Sequence, residues 1–398
     1  MITPSTRLLS LPGYPLAELP SIKRRLMAAG RDIIDVAAGD NDTPAPQVAV
    51  DALKRAIDNP ANSKYGYQQG HPEFRRAASD FVYRRFGKRL DPATELLPLI
   101  GSKEGLAHMP FAFLNVGDVA IMPEPGYQAY LGGTVSVGAE PYVVPLREEN
   151  DFLLDLESVP TDVLQRTKLL FLNYPNNPTA AVATPEYLER VVAVCRKHQI
   201  VLAYDNAYCD IVFDGYRAPS IFETRGAHEV AVEFFSLSKS FSMTGWRIGF
   251  AVGESHLIAP LTTAKTYKDT GPFLAVQEAG AAVLDQAEAL IPPICEEIGR
   301  RRDAAVPALR AAGFRVALPK AAMYLWVALP RGISSKAFAR HALEVEGVMV
   351  LPGSAFGPAG EGYFRIALVV PPARLEEAVS RLAKALAGVQ EDGGGKTA

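Results

Sequence analysis

The sequence predicts an α/β protein: a large unit built on a mostly parallel sheet covered by helices, with a smaller α+β unit beside it. Three observations carry this. Between about residues 95 and 255, short apolar runs alternate with helical patterns, as in a sheet whose strands are joined by helical crossovers. The runs are apolar without alternation, as strands covered on both faces must be. Beyond about residue 275 the pattern changes to long helices, then to strands with helices between and after them.

Taken in order, the large-unit strands are expected at 97–100, 119–122, 142–144, 168–172, 201–204, 230–235 and 248–252, each rich in Val, Ile, Leu, Phe or Tyr. Pro185–His198 reads as a helix, with Thr184 as N-cap and Pro185 in the first turn. The apolar stretch 106–123 is interrupted by Asn115, Gly117 and Asp118, so it reads as helix, turn and buried strand rather than a membrane span. Helices follow at 275–290 and 294–312, separated by Pro292-Pro293. Strands are expected at 314–317, 324–327, 348–351 and 363–368, with helices at Ser335–Glu344 and 373–386, the last ending before Gly388. The expected division is an N-terminal arm with part of the smaller unit (1–44), the large unit (45–285), the C-terminal smaller unit (286–388) and a disordered tail (389–398).

Composition narrows the function. The 398 residues carry a formal net charge of −3, without the basic excess of a nucleic-acid binder, and 48% are hydrophobic, which excludes wholesale disorder. The three cysteines, Cys195, Cys209 and Cys295, form no CxxC pair, so neither a disulfide framework nor a thiolate metal site is expected. The six histidines are scattered with no HExxH, so no metal is expected. The first residues show no basic region followed by an apolar one, and a cytoplasmic protein is the expectation.

Four loops place polar residues where a parallel sheet presents its carboxyl edge, the ligand-binding edge of such folds. Gly101-Ser102-Lys103 opens an apolar helix, a position that suits an anion, although taken alone a plain helix cap is the commoner reading. Phe171-Leu-Asn-Tyr-Pro-Asn-Asn-Pro-Thr179, with three asparagines and two prolines, is rigid and rich in hydrogen-bonding groups, or simply a turn. Asp205 ends an apolar strand and Tyr208 follows it; a carboxylate there needs a cation or a protonated ring nitrogen, unless it is a capping residue. Lys239 sits among small hydroxyl residues, with room to form an imine with an aldehyde, or is a solvated surface lysine. Together, in one α/β unit, these are the parts pyridoxal phosphate requires: a lysine, an acid for the ring nitrogen and a phosphate cradle.

The wording of Ser236-Leu-Ser-Lys-Ser-Phe-Ser-Met-Thr-Gly-Trp-Arg247, of Tyr174-Pro-Asn-Asn-Pro-Thr179 and of Pro352-Gly-Ser-Ala-Phe-Gly-Pro-Ala-Gly-Glu-Gly-Tyr-Phe-Arg365 resembles the class I/II aminotransferases of the type I pyridoxal-phosphate fold. The resemblance is nearest to the subgroup of LL-diaminopimelate, alanine and aspartate aminotransferases and runs from Arg7 to Gly388. It implies a ping-pong exchange of an amino group between an L-amino acid and a 2-oxo acid. It also implies roles. Lys239 would hold pyridoxal 5′-phosphate and then move the Cα proton; Asp205 would pair with the ring nitrogen; Asn177 and Tyr208 would bond its phenolic oxygen. Tyr127 would stack on the ring, and Ser102, Lys103, Ser236, Ser238 and Arg247 would hold the phosphate. Arg365 would grip the substrate carboxylate, with Gly39 and Asn177 beside it. Tyr65 would reach the phosphate of a neighbouring subunit, making the enzyme a homodimer with shared sites. Tyr14 and Pro15 would lie in an arm closing over the site.

Three departures stand out, one of them Lys265-Thr-Tyr-Lys-Asp-Thr-Gly271, which differs from the Ser-Asn-rich wording common there. Asn41 replaces a usual proline, and Ala180 replaces a usual glycine, implying either that its φ need not be positive or that the loop is reshaped. Lys23, Arg24, Lys265 and Lys268 are candidate readers of a substrate's distal carboxylate. A carbon–sulfur β-lyase or decarboxylase on the same fold is the alternative reading. A cofactor-sensing transcription regulator would need a DNA-binding module, for which this pattern leaves little room.

Overall fold

The structure, a computed structural model, describes residues 2–12 and 18–394. Its strands are β1 Ile34–Asp35, β2 Leu96–Leu99, β3 Val119–Glu124, β4 Glu140–Pro145, β5 Thr167–Asn173, β6 Val201–Asp205, β7 Ala231–Ser236, β8 Gly249–Gly253, β9 Arg315–Val316, β10 Tyr324–Ala328, β11 Val348–Met349, β12 Leu351–Pro352 and β13 Tyr363–Ala367. Seven of them form one sheet in the order β2-β8-β7-β6-β5-β3-β4, and only β8 runs against the others. These are the seven apolar runs of the large unit. Except in the edge strand β4, where only Val144 is buried, their side chains are buried almost throughout because helices cover both faces, as the lack of alternation requires. In the register, Asn173 lies opposite Asp205 and Asp205 opposite Phe234, so the ends of β5, β6 and β7 deliver polar residues to one edge.

The smaller unit is an antiparallel sheet, β12-β13-β10-β9, and a short parallel pair, β1 with β11. That pair fastens the N-terminal segment to the C-terminal unit. A buried cluster of Ile34, Val36, Phe314, Tyr324, Phe338, Phe364, Leu375 and Leu382 also takes in Ala180 and Tyr208 from the large unit, so one apolar core backs the junction of the two. Pro185–His198 forms as expected: the Thr184 hydroxyl accepts from Tyr187 N at 3.2 Å.

Two expectations fail locally. Pro292 and Pro293 do not separate helices; they lie inside Ala287–Ala311, and the break falls at Asp285 and Gln286. Each proline frees the carbonyl four residues before it, Glu288 or Ala289, and both residues are exposed, so water can bond those oxygens. Gly388 does not end the last helix, which runs Pro372–Gly394 and so continues into the stretch expected to be disordered. A Cβ at Gly388 would lie 2.8 Å from His341 Nε2, so this glycine permits close packing on Ser335–Glu344 rather than a cap. No helix among the described residues is long and apolar enough to cross a membrane. The three cysteines are unpaired, with Cys195 and Cys209 buried.

Candidate active site

A cavity of about 540 Å³ opens at the carboxyl edge of β5–β7, where the smaller unit meets the sheet. Of the residues singled out from sequence, Gly39, Ser102, Lys103, Tyr127, Asn177, Asp205, Tyr208, Ser236, Ser238, Lys239, Arg247 and Arg365 all line it. Tyr65 does not; it is 71% exposed on the surface, its ring centroid 5.8 Å from that of Tyr67. Tyr14 and Pro15 lie outside the described residues.

At one end the cavity is built for an anion. Helix Ser102–Phe113 starts after Gly101 with no side-chain cap, leaving its first N–H groups to another acceptor. Gly101 has φ +74°, and a Cβ there would sit 2.5 Å from Arg247 Nη2, so glycine is required for the guanidinium to pack against this loop. Arg247 itself has φ +56°, with Nη1 donating to Thr244 O at 2.8 Å. The Ser236 hydroxyl accepts from Ser238 N at 3.2 Å, which fixes the turn beside it. Lys103 Nζ stands 5.8 Å from the centroid of the Tyr127 ring.

At the centre, Tyr130 donates its hydroxyl proton to Asp205 Oδ2 at 2.8 Å, while the buried Oδ1 has no hydrogen-bond partner. Burial pushes the Asp205 carboxyl up to about 6, against the pull of the Tyr130 bond and of the Ala207 backbone N–H. Asn173 Nδ2 donates to Asp205 O at 2.7 Å and holds the strand end in place. Tyr208 and Tyr324 share a hydroxyl–hydroxyl hydrogen bond of 2.9 Å, and burial raises the Tyr208 phenol well above its ordinary range. Lys239 Nζ donates to Gly39 O at 2.5 Å.

At the other end lies a buried cation lacking a counter-anion. Arg365 donates from Nη1 to Asn177 Oδ1 and from Nη2 to Ala37 O, each at 2.6 Å. Its Nε is buried without a partner, and burial draws its pKa down. Its guanidinium carbon lies 4.1 Å from the Tyr324 ring centroid and 5.0 Å from that of Phe356. Both bonds go to neutral acceptors, so the charge is desolvated with no counter-anion, an environment that suits a carboxylate. Gly39 belongs here because a Cβ would come within 2.4 Å of Tyr324 Oη.

Tyr130, Tyr324 and Phe356 were not singled out from sequence, whereas Asn173 is one of the three asparagines of the rigid loop after β5. Tyr130 stands three residues after Tyr127, one helical turn away, and that spacing was the available signal. Tyr324 opens an otherwise apolar strand, so nothing local marked it. Of the candidate readers of a distal carboxylate, only Lys23 lines the cavity, paired with Asp35 at 2.7 Å. Arg24 is exposed elsewhere, and Lys268 lies over Phe111. Lys265 is fully buried against Glu104 and Asp269, at 3.0 and 2.6 Å. Glu104, His108 and Asp269 are the one cluster of possible metal ligands among the described residues, and the Lys265 ammonium already supplies its cation. Asn41 uses its amide to reach Ser242 Oγ at 2.9 Å. Ala180 has φ +59°, so the left-handed conformation is kept despite the side chain, and the reading that its φ need not be positive is corrected.

These groups fit pyridoxal phosphate. The uncapped helix start with Arg247 and the serines suits a phosphate, the orphaned Asp205 Oδ1 suits a protonated ring nitrogen, and the Lys239 amine lies in the same cavity for an aldehyde. Sheet, connection pattern and site together define a pyridoxal-phosphate enzyme of fold type I. Residues 31–382 match the family of class I and II aminotransferases, and the chain belongs to that family. It is 46% identical over 383 residues to the LL-diaminopimelate aminotransferase of Nitratidesulfovibrio vulgaris strain DP4, covering 95% of this chain and 98% of that one. It is 43% identical over 376 residues to the LL-diaminopimelate aminotransferase of Desulforudis audaxviator, covering 94% and 96%. Among solved structures, a probable N-succinyldiaminopimelate aminotransferase from Thermus thermophilus superposes with a TM-score of 0.89 at 37% identity, covering 94% of this chain and 100% of that one. A single mutant of Thermus thermophilus aspartate aminotransferase gives 0.90 at 28%, covering 97% and 100%. The protein is thus a pyridoxal-phosphate-dependent aminotransferase, and the lyase or decarboxylase alternative is not supported.

Proposed function

We propose that Lys239, Asp205 and Arg365 divide the work of amino-group transfer, and that the donor is an LL-diaminopimelate-type amino acid. When bound, pyridoxal phosphate supplies an electron sink for the carbon that loses its proton. Lys239 Nζ serves first as the covalent anchor and then as the base that takes the proton from the substrate Cα and returns it on the cofactor side. Asp205 Oδ1 accepts the ring N–H and keeps that nitrogen protonated, with Tyr130 fixing which oxygen is presented. Tyr208 and Asn177 hold the phenolic oxygen, and Tyr127 covers the ring face. Gly101, Ser102 and Lys103 offer backbone N–H groups to the phosphate; Ser236, Ser238 and Arg247 add hydroxyls and charge. Arg365 takes the substrate α-carboxylate on its planar fork, beside Gly39.

The observation that carries this reading is one cavity holding a lysine amine together with an unpaired carboxylate oxygen and a guanidinium without an anion. The names of the relatives support the donor, and the Lys23–Asp35 pair adds charge of both signs to the cavity. The same reading makes the enzyme a cytoplasmic homodimer. Exposed Tyr65, Tyr67, Tyr267 and Phe273 form surface that a second copy would cover, with Tyr65 reaching the other subunit's phosphate.

Steady-state kinetics with LL-diaminopimelate, glutamate, aspartate and alanine as donors test the substrate. LL-diaminopimelate is expected to exceed the others in kcat/KM by at least about tenfold; equal or lower values would reject it and leave the chemistry standing. Arg365→Lys is expected to lower kcat/KM roughly a hundredfold, mostly through KM, because a lysine cannot match both carboxylate oxygens. An unchanged KM for several amino acids would remove Arg365 from this role.

A further inference from the structure

The turn that carries Lys239 is only Leu237–Ser240, a single helical turn closed by Phe241 N to Leu237 O at 3.2 Å. One turn does not hold itself in water, so its attitude is set by what grips it from outside. Ser236 Oγ accepts from Ser238 N at 3.2 Å, and Thr244 Oγ1 donates to Ser238 O at 3.1 Å. Leu237 N also bonds Ile248 O at 3.3 Å. These three bonds stay within residues 236–248. Apart from the Lys239 amine and Ser242 Oγ, which accepts from Asn41 Nδ2 at 2.9 Å, the side-chain bond that leaves the segment, and the one made from the turn itself, is Ser240 Oγ to Asp210 Oδ2 at 2.7 Å.

Asp210 lies on the loop after β6, the loop that also carries Tyr208 and begins at Asp205. It is buried, and it is pinned on its other side. Arg85, from helix Pro72–Phe86, directs Nε to Asp210 Oδ1 at 3.3 Å and Nη2 to Cys209 O at 3.4 Å. Cys295 Sγ adds a bond to Asp210 O at 2.8 Å. Asp210 does not line the cavity that holds Lys239. It stands behind the turn, joining the two segments that deliver the reacting groups.

We propose that Asp210 is a positioning residue: through Ser240 it clamps the Lys239 turn to the loop bearing Asp205 and Tyr208. The lysine side chain is a lever of roughly 6 Å. A tilt of its turn by about 10° would carry Nζ about 1 Å, and a misplacement of that size costs on the order of a hundredfold in rate when it is fully expressed. This inference rests on Lys239 being the cofactor-bearing lysine.

Full-length wild type, Ser240→Ala and Asp210→Asn, each loaded with pyridoxal phosphate, test it. The readouts are kcat, KM, the pH midpoint of the bound cofactor's visible band, and melting of the cofactor-free chains. Ser240→Ala is expected to lower kcat about tenfold, leave KM within about twofold and move the band midpoint by about half a unit or more. Asp210→Asn keeps an oxygen to accept the Ser240 proton, so it is expected to restore most of kcat and the midpoint. Reduced melting with kcat and midpoint unmoved would overturn the clamp and leave a purely structural bond. Equal loss in both variants would overturn the assignment of the effect to the Ser240 hydrogen bond. A wild-type protein with no visible band would instead overturn the reading of Lys239 on which the inference stands.

Discussion

Replacing Lys239 with alanine is expected to lower kcat by about 10⁴-fold or more and to abolish the visible band of lysine-bound cofactor. The loss is large because one amine performs two tasks, covalent attachment and proton movement, and no neighbouring group duplicates it. Lys23 and Lys103 also line the cavity, but Lys23 is bound to Asp35 and Lys103 stands over Tyr127. The fold should survive. In the cofactor-free chain Lys239 makes one hydrogen bond, to Gly39 O, worth about 1 kcal/mol. Melting within a few degrees of wild type, with no turnover and no band, is the expected result. Wild-type turnover in this variant would end the mechanism.

Asp205→Asn is expected to separate activity from stability. Activity should fall by about 10²- to 10³-fold, since a neutral amide cannot hold the ring nitrogen protonated. Stability of the cofactor-free chain should move the other way. Burial pushes the Asp205 carboxyl from 3.8 to about 6, so between those values the folded chain keeps a proton that the unfolded chain has released. Wild-type stability therefore falls as pH rises through that window, by roughly 3 kcal/mol from this group, and levels off above it. Asparagine has no such dependence. The cofactor-free variant should melt higher than wild type at pH 8 and show no such advantage at pH 4. Saturating cofactor should shrink or reverse the difference at pH 8. Parallel pH curves for the two cofactor-free chains would show that Asp205 pays no burial penalty.

How much of this was legible in the sequence depends on what each feature needs. The large-unit strands were legible because burial on both faces writes itself as uninterrupted apolar residues, as in 168–172 and 248–252. Lys239, Asp205 and Arg365 were legible through the wording around them; alone, each had an ordinary structural reading. Tyr130 and Tyr324 were not, because their partners are fixed by assembly. The Tyr130 bond requires a helix after β3 to lie over β6, and Tyr324 meets Tyr208 only when the two units close. Pro292-Pro293 misled because the cost of proline in a helix depends on whether the freed carbonyls meet water. Gly388 misled because a glycine that admits a neighbour and a glycine that ends a helix read alike.

The left-handed backbone at Ala180 has a consequence for how this position changes over generations. The conformation costs an alanine roughly 1–2 kcal/mol. Its methyl is buried in the cluster that contains Tyr208, which returns about 0.8 kcal/mol. A glycine would lose that methyl and gain freedom in the unfolded chain, a further 0.4–1 kcal/mol or so against it. The opposing effects nearly cancel. Alanine and glycine at position 180 are therefore expected to differ in stability by less than about 1 kcal/mol, so folding offers little resistance to a change from one to the other.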